Sequence, residues 1–467
     1  MSKSVKKLGF WSIVLLTINS IIGSGIFLSP GSVVQMSGTK AGIVYLAAAI
    51  FASVLAITFA AAAKYVSKGG AAYAYAKAAF GENVGFYVGV TRYIAASIAW
   101  GVMGTGVVKT VLSIFKIDSE NFMYITLGFL ILMLVLLVIN LLGTNVLTLI
   151  SNLSTIAKLA ALITTILAGI IIVLITGENH FSEVNSLVDS TGAQLIPNMT
   201  TSTFVMAMIA AFYAFTGFES VASGSEDMDK PEKNLPKAIP LAILIIAAIY
   251  IGIVLISMMI NPKAIVETTD VVALVAVFDN SIIKSIILYG ALISMFGINV
   301  AASFHTPRIL EAMSKEKQIP SYLAKRTDKG FPLLAFLITI AIAIIIPMVF
   351  DYNMTSIIVI SSISRFVQFL VVPLGVIAFF YEKNKEAILP DVKKNKITDV
   401  FIPILSLVLT IFLLSKFDWV GQFTIIGSNG ESRLNMFAIA AMLIGYLLLP
   451  AVLFILKKNT EPNDKET

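Results

Sequence analysis

No cysteine occurs in the 467-residue sequence, which excludes disulfides, thiolate nucleophiles and cysteine-ligated metals. Histidine is nearly as scarce, with only His180 and His305, so no histidine-based metal centre is expected. Charge is thin as well: Asp, Glu, Lys and Arg make up 13% of the chain, against 58% hydrophobic residues. A soluble fold has no means of hiding so much apolar surface, so the bilayer is the expected solvent. The catalytic signatures H-E-x-x-H, G-x-S-x-G and G-x-x-x-x-G-K are all missing, and no cofactor is expected. An enzyme is therefore not indicated. A membrane nutrient sensor is the less favoured alternative, because no cytoplasmic output domain is visible. The net charge of +6 does not point to nucleic acid, because loop lysines and arginines account for it.

What the sequence does contain is long apolar runs. A helix needs about 20 such residues to cross the hydrocarbon core. That rule yields twelve candidate spans, beginning near Phe10, Ala41, Val84, Phe122, Leu153, Thr203, Pro240, Ile282, Pro332, Ile357, Phe401 and Met436. The run after Lys3, Lys6 and Lys7 is read as the first span and not as a cleaved leader. Most of the 33 Lys and Arg fall on one side of this layout. Lys40, Lys109, Lys116, Lys263, Lys284, Lys416 and Arg433 fall on the other. That bias predicts a multi-pass protein of the cell membrane with both termini cytoplasmic. The expected organisation is a tail over 1–9, five spans over 10–176 and an extracellular loop over 177–202. Five more spans follow over 203–381, then a cytoplasmic loop over 382–400, two peripheral spans over 401–456 and a tail over 457–467.

Spans one and six each carry a weak point at comparable depth. The first reads Ile21-Ile22-Gly23-Ser24-Gly25-Ile26-Phe27 and the second Phe212-Tyr213-Ala214-Phe215-Thr216-Gly217-Phe218-Glu219. Each opens a block of five spans. Matched interruptions of this kind point to an inverted-repeat secondary transporter with its site where the repeats meet. A broken helix exposes N–H groups that attract a carboxylate and C=O groups that accept from an ammonium. An α-amino acid offers both groups on one carbon, and glycine permits close approach. Glycines of this sort also serve simply to pack membrane helices together.

At these residues the chain resembles the amino acid–polyamine–organocation superfamily. The likeness extends over about residues 8–456. It rests on Gly23-Ser24-Gly25-Ile26-Phe27, and on Gly70-Ala71-Ala72-Tyr73-Ala74-Tyr75 with Phe80-Gly81. It also rests on the span-six break, on the stretch from Pro231 to Pro240, and on Asn299 with Arg308-Ile309-Leu310-Glu311-Ala312-Met313 and Pro320. Ala71 departs from the pattern where a second glycine is usual, as do Lys64, Lys68 and Pro307. The resemblance implies an all-α integral membrane fold with twelve transmembrane helices. It implies a leucine-transporter-type five-plus-five inverted repeat with helices 1 and 6 discontinuous. It further implies that the N–H groups of Ser24 and Gly25 hold the substrate carboxylate, while carbonyls near Ile21, Tyr213 and Thr216 hold its ammonium. Gly23 and Gly217 belong to the same breaks. Tyr213 or Phe215 would be an aromatic lid, and Trp100 and Ala302 would line the side-chain pocket.

Lys158 lies within span five, where an ionisable group is costly and marks function. The resemblance sets it where sodium-coupled relatives bind a cation. Proton carrier, fixed charge and structural cap are the three readings open for it. Arg92, near the start of span three, is expected to snorkel towards the cytoplasm. Glu219 and His305 are secondary candidates; Glu219 either pairs with a cation, which keeps cationic amino acids or polyamines open as substrates, or, the favoured reading, ties down a half-helix start. No acid lies in the pocket regions of spans one, three and eight, which favours small or apolar neutral substrates. The expected function is sodium-independent transport of L-amino acids, with proton-coupled uptake and obligate amino acid or amine exchange both open.

Overall fold

A computed structural model describes residues 7–23, 25–189, 191–268, 272–349, 352, 354–417, 419–426 and 431–460. The first apolar run forms α1 (Phe10–Ile21) and, after an interruption, α2 (Gly25–Ser37). Then come α3 (Ala41–Tyr65), α4 (Ala72–Phe80), α5 (Glu82–Ile114), α6 (Phe122–Leu141) and α7 (Thr144–Thr176). The sixth run is also split, into α8 (Thr201–Tyr213) and α9 (Phe218–Val221). The chain continues through α10 (Pro231–Ile260), α11 (Pro262–Glu267), α12 (Ser281–His305), α13 (Pro307–Lys315), α14 (Leu333–Val349) and α15 (Met354–Phe380). It closes with α16 (Ile402–Lys416), α17 (Trp419–Gln422), α18 (Met436–Leu443) and α19 (Leu449–Thr460).

Among the described residues, nine helices are long and apolar enough to cross a membrane, and Phe10–Ile21, Leu333–Val349 and Arg365–Phe380 are shorter apolar helices. Two helices begin well before their expected starts. α7 begins at Thr144 rather than near Leu153, and α10 at Pro231 rather than near Pro240. Hydropathy marks the apolar stretch, whereas a helix extends through polar first turns as readily. Proline in that first turn gives up only an N–H that would have no intrahelical partner. The eighth run looks long because two helices abut: α12 stops at His305, and Pro307 opens α13. One departure from an all-α chain is a small antiparallel ribbon of β1 (Thr424–Ile426) and β2 (Ser432–Leu434), whose first strand is β-branched throughout.

The bundle is apolar outside and partly polar within. Leu134, Ile156, Leu167, Ile171 and Leu174 are exposed, while Arg92, Lys158, Glu219 and Asn299 are buried. Exposed apolar surface on this scale would aggregate in water and suits a lipid-facing wall. Inside, α3 packs along α10, α7 along α12, and α1 against α10, α7 and α12. Asn19 ties three of these helices, donating to Ser151 Oγ (3.0 Å) on α7 and to the Gly297 carbonyl (2.8 Å) on α12.

The motif departures have local explanations. Lys64 reaches both Asp399 oxygens at 2.8 Å, and Lys68 reaches Glu316 at 3.0 Å. Burial alone would raise the Glu316 carboxyl, yet hydrogen bonds and charge from Lys77 and Lys68 hold it below its ordinary range. Ala71 caps α4 at φ 47°, ψ −115°, a conformation suited to glycine. Strain there costs about 1–3 kcal/mol, against roughly 0.4–1 kcal/mol of extra unfolded-state freedom that glycine would bring. Ala71→Gly is therefore expected to stabilise the protein by about 1 kcal/mol on those figures. Thermal unfolding in detergent checks this, and an unchanged or lower midpoint contradicts it.

Candidate functional site

The two interruptions meet. α1 ends in extended backbone at Ile22 (φ −73°, ψ 100°), and α2 begins at Gly25. Ser24 lies outside the described residues. In the other break, α8 gives way to a tight turn over Ala214–Gly217 before α9. Thr216 folds back on Tyr213, with its N–H (3.2 Å) and its Oγ1 (2.8 Å) both donating to the Tyr213 carbonyl. Gly217 adopts φ +123°. A Cβ there would stand 2.0 Å from the Ser20 carbonyl oxygen, and one on Gly25 would stand 2.9 Å from Ala214 Cα. Glycine in each break thus admits the backbone of the other.

A cavity lies against this contact. Ser20, Ile21, Gly23 and Gly25 line it from the first break; Tyr213, Ala214, Thr216 and Gly217 line it from the second. α5 contributes Arg92, Ala96, Ala99 and Met103, and α12 contributes Ile298, Ala302 and His305. Ser220, Thr306 and Arg365 complete the wall. Of the sequence candidates, Ile21, Gly23, Gly25, Tyr213, Thr216, Gly217, Ala302 and His305 come together here.

Others do not. Trp100 is fully buried on the neighbouring face of α5, edge-on to Phe336 with ring centroids 5.7 Å apart. Successive helix positions are about 100° apart, so the α5 positions at 96, 99 and 103 face the cavity while 100 faces α14. Phe215 is also fully buried and packs on Tyr250 at 5.0 Å, leaving Tyr213 as the lid candidate that borders the cavity. Lys158 lies behind α1. Its Nζ donates to the Ile22 carbonyl (2.5 Å) and the Ser294 carbonyl (3.2 Å), and Ser294 Oγ donates to the Ile22 and Gly23 carbonyls at 3.1 Å each. The lysine therefore holds the frayed end of α1 against α12.

Glu219 sits between the second break and Arg365. Its Oε2 accepts from the Gly217 N–H (2.8 Å), and its Oε1 accepts from Arg365 (3.1 Å). Arg92 corrects an expectation: it does not snorkel. It is 3% exposed, and its Nη2 donates to Ser220 Oγ. An inward-facing hydroxyl one turn from the break holds it in the bundle. Both arginines were visible in the sequence as charges inside spans, but neither was given a place in the site.

A bundle of membrane-length helices around a charged, glycine-walled internal cavity has the build of a polytopic membrane transport protein. The comparisons agree with that class. A family model described as "Amino acid permease" matches residues 8–449. The chain belongs to that amino acid permease family. An uncharacterized transporter of Mycobacterium tuberculosis (strain H37Rv) is 39% identical over 463 residues, spanning 97% of this chain and 95% of its own. The serine/threonine exchanger SteT of Bacillus subtilis is 30% identical over 323 residues, 68% of this chain and 69% of its own. The branched-chain amino acid permease BcaP of the same organism is 25% identical over 341 residues, 69% of this chain and 70% of its own. The protein is a multi-pass membrane permease of the amino acid transport class, and not an enzyme.

Proposed function

We propose that the chain carries L-amino acids across the cytoplasmic membrane without sodium, by alternating access around the two helix breaks. Twelve spans in a five-plus-five inverted repeat, with both termini cytoplasmic, are the architecture this reading uses. The observation that carries it is the meeting of the breaks at one cavity, Gly217 against Ser20 and Gly25 against Ala214. N–H groups of Ser24 and Gly25 take the carboxylate. The ammonium takes carbonyls at Ile21 and Thr216; the Tyr213 carbonyl is filled from Thr216 in this conformation. The Lys158 ammonium stands where a coupling cation would otherwise bind.

The names of two relatives, a serine/threonine exchanger and a branched-chain amino acid permease, support an amino acid as cargo. Net uptake and exchange are separated by the Lys158 measurements below. The absence of pocket acids in spans one, three and eight argues against cationic side chains. It suits small or apolar neutral side chains and anionic ones equally well.

Recognition of both main-chain groups predicts that blocking either one is costly. An amino acid methyl ester and an N-acetyl amino acid should each compete at least about tenfold more weakly than the free amino acid, the weight of one lost set of charge-assisted hydrogen bonds. Inhibition of uptake in proteoliposomes checks this. Equal competition by both blocked forms rules out the paired break site.

A further inference from the structure

Arg92, Arg365 and Glu219 give the cavity two guanidinium groups and one carboxylate. Glu219 is already engaged by Arg365 and by the Gly217 N–H. Arg92 has only the neutral Ser220 hydroxyl, and its Nε–H has no partner among the described residues. Two neighbours on the same wall are in a similar position: His305 Nδ1 and Thr306 Oγ1 are buried and unpartnered there as well. Arg92 is 3%, His305 7% and Thr306 0% exposed. Glu219 also acts on Arg92 through space, but it is shared with Arg365, so two buried guanidinium groups stand against one carboxylate, a costly balance in a membrane protein. The arrangement is therefore incomplete until an anion joins it.

A zwitterionic amino acid does not supply that anion. Its carboxylate and ammonium cancel, and both are taken up by the helix breaks. The missing negative charge has to come from the side chain. We propose that the cavity selects amino acids with an anionic side chain, of the glutamate and aspartate class, with Arg92 as the group that receives the side-chain carboxylate. Thr306 Oγ1 and, in its Nδ1–H tautomer, neutral His305 are the further donors on that wall. Planar guanidinium matches carboxylate bidentately, which a point charge does not. This inference rests on the amino acid transport reading of the same site.

The test is uptake of labelled L-glutamate, L-aspartate, L-glutamine, L-asparagine, L-serine and L-leucine by purified protein in liposomes. Glutamate and glutamine are nearly isosteric, so their ratio isolates the side-chain charge. The acid of each pair should be preferred by at least about tenfold, as for one charge-assisted hydrogen-bond pair in a dry site. Arg92→Gln should erase the glutamate-over-glutamine preference, and Arg92→Lys should retain part of it by keeping the charge. Equal uptake of acids and amides by the wild type overturns the proposal, as does preference for serine or leucine, while leaving amino acid transport standing. An equal loss of glutamate and glutamine uptake in Arg92→Gln also overturns it, marking the arginine as a support of the cavity. Failure to carry any amino acid removes the transport reading itself.

Discussion

Gly217→Ala is expected to lower substrate affinity by at least about 100-fold. The positive φ alone costs on the order of 1–3 kcal/mol for a residue with a side chain. The added Cβ would also stand 2.0 Å from the Ser20 carbonyl oxygen, so the two breaks have to part. The displaced atoms are backbone on both sides and have no rotamer to turn away. Gly25→Leu attacks the same contact from the first break, against Ala214 Cα at 2.9 Å, and should also abolish binding. Gly106→Ala is the control: it lies within α5, and its Cβ would meet nothing within 4 Å. Helix propensity makes that change neutral or stabilising by up to about 1 kcal/mol. Substrate-induced thermal stabilisation of each variant in detergent measures the difference. Wild-type affinity in Gly217→Ala would show that the contact between the breaks is irrelevant to the ligand.

Lys158→Ala should have the second large effect. The Lys158 amino group donates to the Ile22 and Ser294 carbonyls, and such bonds contribute from roughly 0.5–1.5 kcal/mol each when neutral to about 3 kcal/mol when charged. Without it, the hydrogen bonds that still tie the end of α1 to α12 among the described residues are those of Ser294 Oγ and Asn19. Uptake should fall by at least about tenfold, the equivalent of losing one of those bonds. A pH gradient then separates the readings of the residue. An inward acid gradient that drives accumulation in the wild type and not in Lys158→Ala makes the lysine a proton carrier. Counterflow exchange, which needs no net proton movement, should then survive in the mutant. A gradient without effect in the wild type, with altered affinity in the mutant, makes it a fixed charge. Equal gradient-driven accumulation by both proteins excludes Lys158 from coupling.

The weak points of the helices were legible because glycine and a hydroxyl residue at mid-membrane are local signals. Gly23 and Gly25 and the Thr216-Gly217 pair need no partner to be noticed. Lys158 was legible for the same reason, as a charge inside an apolar run. Faces were harder to read. In a soluble helix the polar side marks the outside, but here lipid and core are both apolar, so periodicity does not say which side of α5 looks inward. Trp100 came to the pocket through the family resemblance alone, and periodicity offered no ground to prefer Ala96, Ala99 and Met103. Phe215 and Tyr213 pose the same problem within one turn. The role of Arg92 depends on Ser220, 128 positions along the chain, and on Arg365 across the cavity. No local pattern carries a contact of that range. Ala71 was visible as a departure from a motif, but only its φ of 47° shows that the departure is strained.

The most direct test of the account is counterflow in sodium-free liposomes. Purified protein is reconstituted with unlabelled L-amino acids inside, and a labelled amino acid is offered outside at the same pH. The account predicts transient accumulation of the label with no sodium on either side. Its absence for all twenty amino acids, or its appearance only when sodium is added, would contradict it.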